Sequence, residues 1–470
     1  MAPAGGPAGR SWAPVREALA RTPAGARIAS EAAQRAAGKG PPHVKARLRL
    51  HGAPDAAAVR ATLYRDKAGW CPYCQKVWLQ LEIKAIPHRI ELINMRSYGP
   101  KPEEFLMRVP GGLLPAFELD GELHTESLEI MRLIEREFPE NGPAMLPEAG
   151  SSEDRCARDL LALERQLFGA WCELTFRPDN AGLFGGLFAS PDSPGPSPAL
   201  RAFEAKLGQV DAALAKTPGP WFLGGSSPSL VDLQYVSHIE RMNASVLYWK
   251  GYKLRGSGRY PSIDAWFDAF EALEAYRATK SDYFTHVRDI PPQYGPGFES
   301  GTAEQQAAAE AIAGGGGAWE LPLDLGPDSL EPLSGACDPG EDVARLEALY
   351  ALADNAAAIA KFACRGMGAP GSPAYSAPLA DPNARPDLAF EEPVSTALLA
   401  VGEGLLRGEG SVDLSRLRAG EYEPAVREGT GVCLAYLRER VGVPRDMSFP
   451  AAMQFRAYLN LAITGLSSTE

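Results

Sequence analysis

This 470-residue chain carries little cysteine, little histidine and no surplus of positive charge. Seven cysteines over such a length do not make a secreted disulfide framework and fit a reducing compartment better. No two of the six histidines are closely spaced. The formal charge of −12 argues against a general nucleic-acid binder, and no basic stripe with interleaved aromatics occurs. No run of about 18 uninterrupted apolar residues is found, so no membrane-spanning helix is expected. What remains is a globular composition, long enough for about three domains with ample core.

The most informative stretch present is Cys71-Pro72-Tyr73-Cys74. A short strand over Ala61–Tyr64 should hand over here to a helix running to about Lys84. A cysteine at that junction meets free backbone N–H groups and the positive end of the helix dipole, which favour thiolate over thiol. Such placement lowers a cysteine pKa from ~8.5 to between about 3.5 and 7.5. Cys74, one turn on, shares the face of Cys71 and can attack a disulfide formed there. Pro72 suits the first helical turn. The alternatives are half a zinc site or an inert buried pair. Zinc usually needs a second Cys or His pair at similar spacing, and Cys156, Cys172, Cys337, Cys364 and Cys433 stand singly, so no metal is expected.

The first 55 residues are rich in Ala, Gly, Pro and Arg, with Arg10, Arg16, Arg21, Arg27 and Arg35 recurring and few acidic residues. They read as a transit-peptide-like or disordered segment, plastid being favoured over mitochondrion or cytosol. Residues 56–147 alternate strand and helix: Ala61–Tyr64, a helix, His88–Ile93, a short helix over Pro102–Arg108, a hairpin of Ala116–Leu119 and Glu122–His124 about Asp120-Gly121, and a helix from Glu126 capped by Thr125. That order is βαβαββα, a thioredoxin-like α/β domain. Residues 148–293 read as all-helical, with long runs at Glu153–Phe176, Pro198–Lys216, Ser229–Val246 and Ser262–Ala278. Ser229 and Asp232 read there as a structural capping box. A linker over 294–340 and a mostly helical extension over 341–470 follow, the latter with helices at Glu341–Phe362, Val394–Arg407, Thr430–Val441 and Phe449–Ile463.

Four segments carry a resemblance: Cys71 to Trp78, then Lys101-Pro102-Glu103-Glu104-Phe105, then Leu114-Pro115-Ala116, then Glu126-Ser127-Leu128-Glu129. In this order and spacing they resemble the cysteine-type glutathione S-transferases of the omega, lambda and dehydroascorbate-reductase group, over about half of the chain. The resemblance implies glutathione as co-substrate. Leu114, before a cis Pro115, would offer its backbone to the cysteinyl unit. Glu126 and Ser127 would hold the γ-glutamyl end and Lys101 the glycyl carboxylate. Dimers occur in the family, so a homodimer is a further expectation.

A cysteine in place of the hydroxyl used by other transferases competes as nucleophile, which points to reduction rather than conjugation. Cys71 would form a mixed disulfide that glutathione or Cys74 resolves. Glutathionylated proteins or small molecules, small disulfides, dehydroascorbate and glutathionyl ketones are the substrates that the resemblance implies. Cys74 departs from the omega and lambda patterns and is closer to dithiol glutaredoxins. Trp70 reads equally as a packing residue or a substrate contact. Trp171, Cys172, Phe176, Tyr248 and Trp249 read as core, or as a wall for the second substrate. The alternative function is a redox sensor or a binding scaffold on the same fold.

Overall fold

The computed structural model describes residues 11–178, 196–371, 378–418 and 422–467. They form two compact units: Arg35–Ala313 with Gly326–Cys337, and Met1–Gln34 with Gly314–Leu325 and Asp338–Glu470.

The larger unit contains a five-stranded sheet of β1 (Leu48–Arg49), β2 (Ala61–Asp66), β3 (His88–Ile93), β4 (Ala116–Leu119) and β5 (Glu122–His124). Its order is β1-β3-β2-β4-β5, with β2 and β3 parallel and every other pair antiparallel. The parallel pair needs a crossover, and the helix Pro72–Ile83 supplies it. Ala61, Leu63, Ile90, Ala116 and Phe117 are fully buried, which places the core about β2. The expected hairpin turn is present: Asp120 (φ 52°) and Gly121 (φ 91°) both take the left-handed conformation that a two-residue turn requires.

The helical part of this unit is built about Leu230–Lys250, buried at every position except Tyr248. Ser229 and Asp232 cap it reciprocally, as the sequence indicates. The run expected over Ser262–Ala278 is instead two helices, Pro261–Ala272 and Glu274–Thr279, parted by an extended Leu273 (ψ 123°). Packing overrides the periodicity there, because buried Glu271 must reach both Arg255 and Lys280. Tyr283–Tyr294 is a further helix that the Pro291-Pro292 pair hid, and both prolines lie within it. Ala303–Ile312, inside the stretch read as linker, is also helical. Thr302 caps it by accepting from the Gln305 N–H, and Gln305, Ala308 and Ile312 are buried.

The smaller unit is helical: Ala13–Arg21, the start of Pro23–Ala36, Glu341–Asp354, Ala356–Ala363, Glu391–Arg407, Ser415–Arg418, Pro424–Arg438 and Phe449–Ser467. The single helix expected over Glu341–Phe362 breaks at Asn355. The N-terminal stretch departs from the disordered reading. Val15 and Leu19 are buried, and the Trp12 ring packs so closely on Gly402 that a Cβ there would lie 2.8 Å from it. Further on, within the larger unit, β1 pairs with β3, and Arg49 grips Glu82 through Nε and Nη2 at 2.9–3.1 Å. Short apolar alternations set among Ala and Arg carry this order, and bulk composition conceals them. Arg10 lies outside the described residues. Among those described, no helix is long and apolar enough to cross a membrane.

Candidate active site

The β2 strand runs into a loop with Gly69 at φ 70°, and the helix Pro72–Ile83 then begins with Cys71 as its N-cap and Pro72 as its first residue. Cys71 is half-buried and Cys74 is buried. The Cys74 thiol donates to the Cys71 sulfur, which faces the first-turn N–H groups of Tyr73 and Cys74 without forming a side-chain cap hydrogen bond. The thiol's bond first, and then these N–H groups, hold the Cys71 pKa below its ordinary value against burial and the charge of Asp66. Cys74 moves well upward, through burial first and then through its bond and charge interaction with Cys71. The pair is therefore polarised: Cys71 is the more acidic and more accessible thiol, and Cys74 the sheltered one.

Asp66, at the end of β2, completes this centre and was missed in the sequence. It is 1 % exposed, and its Oδ2 accepts the Trp70 N–H at 2.6 Å. One carboxylate oxygen of Asp66 and the sulfurs of Cys71 and Cys74 lie within 4.8 Å of one another. The available signal was a charged pair, Arg65-Asp66, continuing a strand that the sequence reading stopped at Tyr64.

Trp70 resolves to a packing residue. It is buried, its Nε1 donates to His286 Nδ1 at 3.0 Å, and His286 Nε2 lies 3.0 Å from Glu240 Oε1. With Nδ1 accepting, His286 is a neutral imidazole donating through Nε2, in keeping with a pKa that burial lowers. Glu240, whose carboxyl its neighbours hold at about 2 despite burial, also accepts from Gln75 Nε2 at 2.9 Å. Arg241 donates to the Trp70 carbonyl and to Gln75 Oε1. This network ties both sides of the Cys71 junction to the Leu230–Lys250 helix.

The Leu114–Pro115 bond is cis, and the Leu114 carbonyl lies 3.9 Å from Cys71 Sγ. Lys101 Nζ donates to the Gly112 carbonyl, two residues from Leu114 in the chain. Thr125 does not cap the next helix. That helix is Ser127–Glu137, preceded by an exposed Glu126 at φ 65°, with no side-chain cap bond. Ser127 thus sits at a helix start whose N–H groups no side chain occupies. It is reached from Pro115 through the β4–β5 hairpin.

Of the aromatic residues singled out, Trp171 is core, fully buried with its Nε1 donating to Ser245 Oγ at 2.8 Å. Trp249 is also buried, whereas Tyr248 and Cys172 are half-buried. Phe176 is half-buried and stacks on Tyr294 with ring centroids 5.6 Å apart. The Tyr294 hydroxyl interacts with that of Tyr73, so this aromatic group borders the Cys71 helix. Phe168 and Tyr294 belong to it and were not foreseen.

Comparison with known proteins agrees with this geometry. The glutathione S-transferase N-terminal domain model matches residues 70–137, and the C-terminal domain model matches residues 152–278. Protein IN2-1 homolog A of Oryza sativa subsp. japonica is 30% identical over 215 residues, 45% of this chain and 78% of the relative. Glutathione S-transferase DHAR2 of Arabidopsis thaliana is 27% identical over 216 residues, 46% of this chain and 86% of the relative. Among solved structures, glutathione transferase Omega 3C from Trametes versicolor is 27% identical, covering 50% of this chain and 92% of its own, with a TM-score of 0.38. A cysteine-capped helix on a thioredoxin-like sheet, a helical partner domain behind it and both matched domains in sequence order lead to one assignment: the chain belongs to the glutathione S-transferase family of enzymes.

Proposed function

We propose that the protein is a glutathione-dependent thiol–disulfide reductase with Cys71 as its nucleophile. The observation that carries this is the polarised pair: a half-buried Cys71 sulfur at a helix N-terminus, bonded by the thiol of a buried Cys74. The Cys71 thiolate attacks the glutathione sulfur of a mixed disulfide. The substrate leaves as its thiol, and glutathione stays on Cys71 as a disulfide. A second glutathione thiolate then releases glutathione disulfide and restores Cys71. By the alternative route Cys74 attacks, releases glutathione and forms the Cys71–Cys74 disulfide, which two glutathiones reduce. With dehydroascorbate, Cys71 adds to a carbonyl carbon, and a second thiol attacks the sulfur to release ascorbate and leave a disulfide.

In this proposal the Leu114 backbone, beside Pro115, pairs with the cysteinyl unit of glutathione. The Ser127 hydroxyl and the N–H groups of its helix take the γ-glutamyl carboxylate, Glu126 takes the amine, and Lys101 takes the glycyl carboxylate. The Ala- and Arg-rich start of the chain supports a plastid address, which a fluorescent fusion of the full chain would test.

The deciding experiment measures glutathione-dependent reduction of a small mixed disulfide and of dehydroascorbate by wild type, Cys71→Ser and Cys74→Ser. Loss in Cys71→Ser alone establishes the monothiol route, and loss in both establishes the dithiol route. A wild type that binds glutathione but reduces neither substrate would overturn the proposal in favour of a redox sensor or a binding scaffold.

A further inference from the structure

The centre at the Cys71 junction has a property that thiol–disulfide exchange does not use. Three groups of metal-ligating chemistry, the Asp66 carboxylate and the thiols of Cys71 and Cys74, converge so that one atom of each lies within 4.8 Å of the other two. They come from two separate elements, the end of β2 and the first turn of the following helix. Two cysteines alone fall short of a closed site, which is why the sequence spacing argued against zinc. The carboxylate supplies the third ligand.

The geometry suits a small thiophilic dication. With Zn–S distances of about 2.3 Å in a tetrahedral site, two bound sulfurs stand roughly 3.8 Å apart. A contraction of about 1 Å from the present limit suffices, within reach of cysteine side-chain rotation. Asp66 and Cys74 are each 1 % exposed and form a floor, while half-buried Cys71 leaves a side open for entry. Asp66 Oδ2 is engaged by the Trp70 N–H, which anchors the carboxylate. The buried Arg65 guanidinium donates to the Asp66 carbonyl and lies 4.1 Å above the Trp78 ring. Arg65, Asp66 and two thiolates sum to two negative charges, the charge that one dication cancels.

We propose that, in the reduced protein, Asp66, Cys71 and Cys74 bind one divalent cation of the zinc type, with a fourth coordination position open to solvent or an external thiol. Binding breaks two S–H bonds, forms two metal–sulfur bonds and one metal–oxygen bond, and passes two protons to solvent, with no change of oxidation state. The bound ion occupies the Cys71 sulfur and so holds the enzyme reversibly inactive. This goes beyond the reductase proposal, and its test does not depend on turnover.

The probe is cobalt(II), titrated without oxygen into the full-length reduced chain and followed by thiolate-to-cobalt charge-transfer absorption and tetrahedral d–d bands. Wild type should saturate at one ion per chain, and zinc should displace the signal. Cys71→Ser and Cys74→Ser should each abolish it, and Asp66→Asn should weaken binding at least about tenfold. Two further measurements hold even if Asp66→Asn fails to fold. Wild type oxidised to the Cys71–Cys74 disulfide should give no thiolate–cobalt absorption, and zinc should protect Cys71 and Cys74 together from alkylation, as mapped by mass spectrometry. No thiolate–cobalt band in reduced wild type, or a band that survives in Cys71→Ser or Cys74→Ser, would overturn the proposal. A surviving band would assign the ion to another thiol, such as exposed Cys156.

Discussion

The chain holds two close pairs of cysteines, one in each unit, and they are built to opposite ends. Cys71 stands at the start of a helix, is half-buried and faces the first-turn N–H groups. Cys364 sits at the end of the helix Ala356–Ala363, where the dipole opposes a thiolate, and Cys433 lies inside Pro424–Arg438. Both are fully buried. The two thiols hydrogen-bond each other, which lowers the pKa of Cys364 and raises that of Cys433, yet neither faces solvent. Their contact is a packing contact: a Cβ on Gly366 would stand 3.1 Å from the Cys433 Cα, so the turn after Cys364 lies directly on that helix. Proximity of two thiols is thus shared by both units. Access and placement at a helix start belong to one alone.

The sharpest way to break this comparison is activity. Cys71→Ser should lose more than about 10³-fold in glutathione-dependent disulfide reduction, because the attacking sulfur is gone. Cys364→Ser and Cys433→Ser should remain within about twofold of wild type in the same assay. A comparable loss in the smaller unit's pair would make it a second redox centre and end the distinction.

The units also differ in how a carboxylate starts a buried helix. In the larger one, Asp232 accepts from the Ser229 N–H at 2.7 Å, the Ser229 hydroxyl at 2.6 Å, the Phe222 N–H at 3.1 Å and Trp266 Nε1 at 2.9 Å. In the smaller one, Glu347 accepts from the Ser448 N–H and hydroxyl, both at 2.7 Å, before Phe449–Ser467. Each buried donor left without a partner costs about 1–3 kcal/mol. Asp232→Ala should therefore destabilise its unit by about 3–4 kcal/mol and Glu347→Ala its own by roughly half as much. Urea melts followed by hydrogen exchange in each unit would check the ranking, and equal losses would contradict it.

The same two carboxylates mark what could be read from the sequence. Ser229 and Asp232 stand three residues apart before an apolar run, a local pattern that names itself, and the strands β3, β4 and β5 were legible for the same reason. The Cys71 helix was legible because cysteine, proline and a preceding strand act within one turn. Glu347 and Ser448 are about a hundred positions apart in the chain, and nothing local links them. Asp66 was missed because a strand ending in two charges, both buried here, breaks the apolar pattern used to find strands. β1 and the packed N-terminal helices were hidden by composition. The breaks at Leu273 and Asn355 answer to tertiary packing that periodicity does not carry.

A smaller effect separates the thiols by rate. At neutral pH, iodoacetamide should modify Cys71 at least about 100-fold faster than Cys364 or Cys433, whose reaction waits on local unfolding. The Cys71 rate should fall as pH falls through its lowered pKa, the thiolate being the reactive form. Peptide mapping over time would read both, and equal rates in native protein would erase the contrast of access.

Acid should separate the units more gently. All six histidines, His43, His51, His88, His124, His238 and His286, belong to the larger unit. Burial lowers His88 to about 4 and His43 to about 3, and moves His238 and His286 in the same direction. A histidine with a folded pKa below its unfolded value of 6.5 stays neutral in the fold, while the unfolded chain takes the proton first. Stability is therefore full above 6.5 and drains as pH falls toward the folded pKa. Fully buried His88 alone accounts for about 1–2 kcal/mol lost by pH 5. Glu347 in the smaller unit has the opposite sign, since burial raises its pKa and protonation favours the fold. Hydrogen exchange at pH 7 and pH 5, corrected for intrinsic rates, should thus show protection falling over β3 while Phe449–Ser467 holds steady or gains. Matched losses in both would mean that acid acts through groups the units share and that the buried histidines do not set the difference.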